Sequence, residues 1–269
     1  MPKMPYFCKN NHDIMKKQLL ILSYIACAFV AFSCRSGYHV TDIQRSRILI
    51  DNTYDRQPDA QAAAFIKPYQ HEVDSIMSPV MGTVANYMAS HRPESELSNL
   101  LADILVWASK RYGEQSDMAV YNMGGIRAAF SKGKVTYGDI VDVAPFENKI
   151  CFVTLSGEKL LLLFRQIAAR GGEGVSHGVE LVITKDKKLE SARLHGKEID
   201  PQASYRVATL DYLAQGNDGM GAFKSATNVV SPQEKSNNVR FIIMDYFREY
   251  ASQGKAVEKK IEGRIVVKP

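Results

Sequence analysis

The amino-acid sequence predicts an α+β domain in which a mixed β-sheet is packed by helices. Strand-like and helical patterns alternate along most of the chain. Two short strand-like runs, Val179 to Thr184 and Leu189 to Leu194, flank the charged turn Lys185-Asp186-Lys187-Lys188 and read as a hairpin. Interleaved helices and strands with at least one hairpin call for a mixed sheet.

Taken in order, Cys34 to Pro58 reads as a tether carrying one strand, Arg47 to Asp51. Asp59 then caps a helix whose apolar positions recur as Ala62, Phe65, Ile66, Tyr69, Val73, Ile76 and Met77, with Pro68 expected to kink or interrupt it. A strand-like run from Val80 to Met88 leads through Pro93-Glu94-Ser95-Glu96 into a helix whose Leu97, Leu100, Leu101, Ile104, Leu105 and Ala108 should face a sheet. Asp117 to Tyr121 is a strand, Tyr137 to Val143 a short helical segment, and Ile150 to Leu155 another strand. Gly157 to Arg170 is a helix ended by Gly171-Gly172. Tyr205 to Leu210 is a strand, Asn238 to Ala251 the final helix, and Arg264 to Val267 the last strand. With no internal repeat and no linker after residue 58, residues 59–269 are expected to form one domain.

The chain has 269 residues, 45% hydrophobic and 23% charged, which fits a folded protein and neither a disordered chain nor a fibre. Its start is distinct. Met15-Lys16-Lys17 precedes an apolar run from Leu19 to Phe32 that ends in Ala31-Phe32-Ser33-Cys34. A positive start, an apolar stretch too short for a comfortable membrane span and small residues before a cysteine describe a secretory signal over residues 1–33. The ending resembles a bacterial lipobox with a bulky Phe32, so Cys34 is expected to carry lipid and anchor a periplasmic lipoprotein to an envelope membrane. Met15 is an alternative start.

Removing that segment takes away Lys3, Lys9, Lys16, Lys17 and Asp13, and the net charge falls from +5 to +2. The basic balance therefore gives no argument for nucleic acid, which calls for a clustered basic face. Cys8 and Cys27 leave with the signal, so Cys151 has no partner for an internal disulfide. In its apolar run it reads as a small buried hydrophobe, with a reactive thiol as the alternative.

The stretch Asn122-Met123-Gly124-Gly125-Ile126-Arg127 follows the strand ending at Tyr121. Adjacent glycines allow a positive φ or a close approach to a ligand, Arg127 offers a planar fork to phosphate or carboxylate, and Asn122 adds an amide. By itself the stretch reads more readily as an ordinary strand-ending turn with a surface Arg than as a ligand site. Three further blocks accompany it: Ser95 to Asp103 (SELSNLLAD), Pro145 to Asn148 (PFEN) and Tyr205 to Gly219 (YRVATLDYLAQGNDG).

In order and spacing the four blocks resemble the C-terminal domain of the 5'-nucleotidase family, over roughly residues 93 to 268. The resemblance implies that domain's fold and a nucleotide or nucleoside ligand. It implies a base stacked between Phe146 and Tyr212, Asn148 at the base edge, Asp218 on the ribose hydroxyls, and Arg127 with Asn122 near the phosphate, beside Gly124 and Gly125. An aromatic pair can take both faces of a base, a carboxylate reads a vicinal diol, and an arginine fork reads phosphate oxygens. The bland roles are a loop-anchoring ring for Phe146 and a helix-start packing residue for Tyr212.

Three departures stand out. Asn217 fills a place where the family commonly has Gly, Pro93 fills the place nearest a second phosphate-facing Arg with Arg92 one earlier, and His177 stands in the turn Ser176-His177-Gly178 without an assigned role. The family's enzymes hydrolyse phosphate esters with two metal ions held in a separate metallophosphatase domain, and none of its signatures occurs in this sequence. The sequence therefore predicts no metal site here. It predicts the substrate-binding half of a split periplasmic 5'-nucleotidase whose divalent metals sit in a separate metallophosphatase polypeptide. The alternative is a stand-alone nucleoside-binding envelope lipoprotein without catalysis.

Overall fold

The structure, a computed structural model, describes residues 15–25, 38, 40–56 and 58–268. It divides into two compact units, Met1–Pro58 and Asp59–Pro269. In the first, residues 15–25 are helical and a 3₁₀ turn covers Tyr54–Arg56. Cys34 and the end of the expected signal lie outside the described residues. The strand expected at Arg47 to Asp51 is absent: residues 40–51 have no regular structure, and Ile48, Leu49 and Ile50 are exposed. A strand exists only where a neighbour completes its ladder, and a local apolar triplet does not supply one.

The second unit opens with α1 (Ala60–Met77), capped by the Asp59 carboxylate, which accepts from the N–H groups of Gln61 and Ala62. Contrary to expectation, Pro68 does not interrupt it. Proline deprives the Ala64 carbonyl of its helical donor, and at this exposed position that oxygen is open to solvent instead. The next elements are β1 (Val80–Val84), α2 (Glu96–Ser109), β2 (Met118–Tyr121), β3 (Gly133–Thr136), α3 (Tyr137–Val143) and β4 (Ile150–Ser156). They are followed by α4 (Gly157–Ala169), β5 (Gly174–Val175), β6 (Val179–Ile183), β7 (Leu189–Leu194), β8 (Lys197–Glu198) and β9 (Ser204–Leu210). The chain closes with the single-turn α5 (Asp211–Ala214), β10 (Thr227–Val230), α6 (Val239–Ser252) and β11 (Ile265–Val267).

The strands divide between two mixed sheets and a ribbon. One sheet has the order β10-β4-β9-β2-β5, the other β11-β6-β7-β8, and β1 pairs with β3 alone. The expected hairpin is β6–β7, and β11 joins it in parallel. Each main sheet therefore contains both kinds of pairing.

Helix α2 shows how sequence becomes packing. Ser95 and Ser98 form a reciprocal capping box that fixes its start, and Leu97, Leu100, Leu101, Ile104 and Leu105 are all buried. Each such side chain contributes about 1.5–3 kcal/mol on leaving water. Together they press the helix against β2, whose four residues are buried. Cys151 is buried in β4, where burial pushes its thiol pKa up, so it behaves as a small core residue.

This topology also places the site. β2 and β9 run parallel as neighbours, so the segments leaving them, Asn122 onward and Asp211 onward, emerge at the same edge. β4 runs antiparallel to β9 with Ile150 opposite Leu210, which brings the residues preceding Ile150 to that edge too. Three separate sequence blocks thus meet at one end of a sheet, outside the carboxyl ends of its parallel strands.

Candidate functional site

At the end of β2 the chain forms a 3₁₀ turn, Met123–Gly125, with Asn122 at its start. The Gly125 N–H donates to the Asn122 carbonyl at 3.0 Å, and Ile126 to Met123 at 3.1 Å. Neither Gly124 nor Gly125 has a positive φ. The need for glycine at 125 is steric: a Cβ there would lie 2.8 Å from the Asn122 side-chain oxygen. Gly124 stands open beside Asp218.

Opposite the turn, the loop after α5 carries Asp218. Its φ of 54° is left-handed, a conformation that Asp tolerates better than most residues, and Gly216 and Gly219 on either side are left-handed as well. Asn217 needs no positive φ. Its amide donates to the Tyr212 carbonyl at 2.8 Å and ties the loop to α5, which accounts for a non-glycine residue there.

The Asp218 carboxylate accepts from the Asn122 amide at 2.7 Å on one oxygen and from the Tyr212 hydroxyl at 3.2 Å on the other. The Asp218 charge raises the Tyr212 phenol pKa, because a phenolate beside a carboxylate is disfavoured. Asn122 is buried, and its side-chain oxygen has no hydrogen-bond partner in the protein.

The third wall is the segment Pro145 to Asn148. Arg240 of α6 supports it by donating to the carbonyls of Ala144 at 3.3 Å and Pro145 at 2.6 Å. Asp211 then joins two walls: its carboxylate accepts from the backbone N–H of Lys149 at 3.0 Å and of Tyr212 at 2.8 Å.

Between these walls is a cleft of about 190 Å³. Asn122, Gly124, Gly125 and Asp218 line one part of it, and Phe146, Asn148 and Tyr212 the rest. Phe146 is 50% exposed and Tyr212 37%, so both rings offer apolar surface to the cleft. Of the residues expected in the site, Arg127 alone lies outside this lining. It is exposed; its backbone N–H donates to the Val143 carbonyl at 3.1 Å and its guanidinium to the Gly124 carbonyl at 3.4 Å. Arg92 does not face the cleft either, because it donates to the Gly172 carbonyl and to the buried Glu173.

His177 belongs elsewhere. Its backbone N–H donates to Asp103 at 2.7 Å and its ring meets Glu262 at 2.8 Å. Asp103 also receives Arg264 on both oxygens, at 2.9 and 2.8 Å, and Lys259 at 2.5 Å. Burial by itself would raise the Asp103 pKa, but Arg264, Lys259 and the His177 N–H together hold it below the usual carboxylate value.

Sequence reasoning missed four supporting residues: Glu173, Arg170, Asp211 and Arg240. Asp211 alone had a local signal, as an acidic residue at a helix start. Among the described residues, no three of His, Cys, Asp or Glu stand together as metal ligands. They do not fit a two-metal centre, and no hydrolytic step is assigned to them.

The sequence matches the family model described as 5'-nucleotidase, C-terminal domain, over residues 80–225. It is 25% identical over 218 residues to "Protein UshA" of Yersinia enterocolitica, covering 78% of this chain and 38% of that protein. It is 31% identical over 165 residues to "Endonuclease YhcR" of Bacillus subtilis, covering 59% of this chain and 13% of the relative. Among solved structures, the 5'-nucleotidase precursor from Thermus thermophilus superposes with a TM-score of 0.66 at 26% identity, over 79% of this chain and 44% of that one. The chain spans less than half the length of each of these relatives.

Proposed function

This chain belongs to the 5'-nucleotidase C-terminal domain family, and from that premise we propose that it is the nucleotide- or nucleoside-binding subunit of a two-chain 5'-nucleotidase. A separate metallophosphatase polypeptide holds the divalent metal ions and cleaves the phosphoric monoester. The observation that carries the reading is the single cleft in which two exposed rings, an amide and an anionic acceptor converge.

In this reading Phe146 and Tyr212 take the two faces of a base, at about 1–3 kcal/mol per stacked base. Asn148 meets the base edge, and Asp218 accepts from the ribose hydroxyls alongside Asn122. Arg127, outside the cleft and exposed, addresses the phosphate where it emerges toward the partner. Its planar fork suits a ligand that carries phosphate, since a neutral nucleoside offers it no charge. The lipid on Cys34 holds the subunit at the periplasmic face of a bacterial envelope membrane.

The deciding experiment assays residues 34–269 on a panel of nucleoside monophosphates with Mn²⁺ or Zn²⁺, with and without a purified metallophosphatase-domain polypeptide from the same genome. Phosphate release only from the pair supports the two-chain enzyme. Tight nucleoside binding with no stimulation by the partner leaves the stand-alone binding lipoprotein, and robust turnover by this chain alone overturns both.

A further inference from the structure

Helix α4 ends at Ala169 with Arg170 as its cap, and the chain then turns through Gly171 and Gly172, whose φ values are +81° and +112°. Gly172 is pressed on its neighbour so closely that a Cβ would stand 2.2 Å from the Pro93 carbonyl oxygen. This contact turns Glu173 inward, and its side chain is wholly buried. A carboxylate without water is costly unless its lone pairs are filled by charge and hydrogen bonds.

Glu173 is filled on both oxygens. Oε1 accepts from Arg92 and from Arg170 Nε at 2.5 Å, and Oε2 accepts from the Met123 backbone N–H at 2.6 Å. Met123 is the first residue of the 3₁₀ turn that carries Gly124 and Gly125 and follows Asn122. On the other side, the Arg170 cation is stabilised first by its bond to Glu173 and also by the charge of Asp218. Glu173, Arg92 and Arg170 are all absent from the cleft lining.

We propose that Glu173 is a positioning residue of the nucleoside cleft: through Met123 it sets the Asn122–Gly125 turn against Asp218, with Arg92 and Arg170 holding its carboxylate in place. The inference rests on the nucleoside reading of the cleft. It explains why Arg92 does not face a phosphate, since Arg92 helps to neutralise the carboxylate that holds the turn. It also gives the Gly171-Gly172 pair a role beyond ending a helix.

The test compares wild type with Glu173→Gln, Glu173→Asp and Arg170→Gln. Three quantities are measured: adenosine affinity by calorimetry, melting temperature, and amide hydrogen exchange at Met123 and in β4. In Glu173→Gln, adenosine Kd is expected to rise at least about tenfold, the size of one hydrogen bond to a charged group. Exchange at Met123 is expected to quicken while β4 stays protected. A purely structural role would lower the melting temperature and leave the Kd of the folded protein within twofold of wild type, and that result overturns the proposal.

Should Glu173→Gln fail to fold, Glu173→Asp keeps the charge but falls a methylene short of Met123, and the same loss of affinity is expected. Arg170→Gln changes a side chain that is 32% exposed and is expected to raise Kd by at least about threefold, with a wild-type Kd counting against the proposal. Wild type that binds no adenosine would overturn the nucleoside reading instead. Glu173 is then judged on exchange alone: faster Met123 exchange in Glu173→Gln supports the positioning role, and unchanged exchange overturns it.

Discussion

Two carboxylates, Asp103 and Asp218, are both held in place by side chains, yet their partners differ in kind. Asp103 is enclosed by cations: Arg264 grips both oxygens, Lys259 joins at 2.5 Å, and the His177 N–H adds a fourth donor. Asp218 receives only neutral donors, the Asn122 amide and the Tyr212 hydroxyl, and stands at the wall of a cleft. A carboxylate saturated by guanidinium and ammonium groups has no lone pair left for a ligand and serves the fold. One held by two neutral donors keeps both its charge and spare acceptor capacity. The aromatic rings divide the same way. Phe130, Phe152 and Phe247 are buried, whereas Phe146 and Tyr212 expose a third to a half of their surface beside Asp218.

The largest effect should come from breaking the saturated cluster. Arg264 is 2% exposed, and replacing it with Ala removes its hydrogen bonds to both Asp103 oxygens and to the carbonyls of Asn99 and Val175, leaving Asp103 only Lys259 and the His177 N–H. Removing one partner of a buried pair costs about 3–5 kcal/mol, to be read by denaturant unfolding, with adenosine affinity of the folded fraction unchanged. The pH dependence has a definite sign. Asp103 and Glu262 both have pKa values lowered in the folded state, so the stability they contribute is present above their unfolded values and is lost as pH falls through the folded ones. Melting temperature should therefore drop in acid, and that acid sensitivity should shrink in Arg264→Ala. An acid profile identical to wild type would mean that Arg264 does not set the Asp103 pKa.

Truncating the cleft rings should give the opposite pattern. Phe146→Ala and Tyr212→Ala are expected to weaken adenosine binding by about 1–3 kcal/mol while hardly moving the melting temperature. A buried ring such as Phe247, cut to Ala, should cost about 3–5 kcal/mol of folding free energy. Calorimetric titration and thermal melting on all three variants separate the two classes. Unchanged affinity with a large fall in melting temperature would make Phe146 and Tyr212 structural.

Asp218→Asn sharpens the contrast between the two carboxylates. Asn tolerates the left-handed backbone that position 218 requires, so the fold is kept while the negative acceptor is lost. Adenosine should bind more weakly by about 1.5–3 kcal/mol, the range for a hydrogen bond to a charged group, and adenine without ribose should bind as before. Equal losses for both ligands would remove ribose as the partner of Asp218.

How far the sequence foretold this arrangement depends on whether a signal was local. The leucine face of α2, the hairpin β6–β7 and the Asp59 cap were legible because period and capping are local properties. Helix α1 has equally regular apolar spacing, yet Phe65, Tyr69 and Val73 are more than half exposed. Periodicity reports an amphipathic helix and not what covers it. The strand at Arg47 to Asp51 failed for the related reason that pairing is a long-range property. Within the site, the lining residues sat in recognisable blocks. Glu173 and Arg240, which hold those blocks from behind, act across 50 residues and about a hundred residues of sequence and left no local mark.

The smallest expected effect concerns the Tyr212 hydroxyl, the weaker of the two donors on Asp218. At 3.2 Å it is a long contact for an O–H donor, and a hydrogen bond of this kind contributes about 0.5–1.5 kcal/mol at most. The hydroxyl occupies one oxygen of the group assigned to the ribose, so it competes with the ligand while orienting the ring. Tyr212→Phe keeps the ring for stacking and releases that oxygen. Adenosine should then bind as tightly as to wild type or tighter by less than about 1 kcal/mol, and the melting temperature should not move, because Tyr212 is partly exposed and its phenol anchors nothing in the core. Severalfold weaker binding by Tyr212→Phe would show instead that the hydroxyl itself touches the ligand. Tyr212 would then read the ligand beside Asp218 and Asn122, and its hydroxyl would belong to the site itself and not only to the support of the carboxylate.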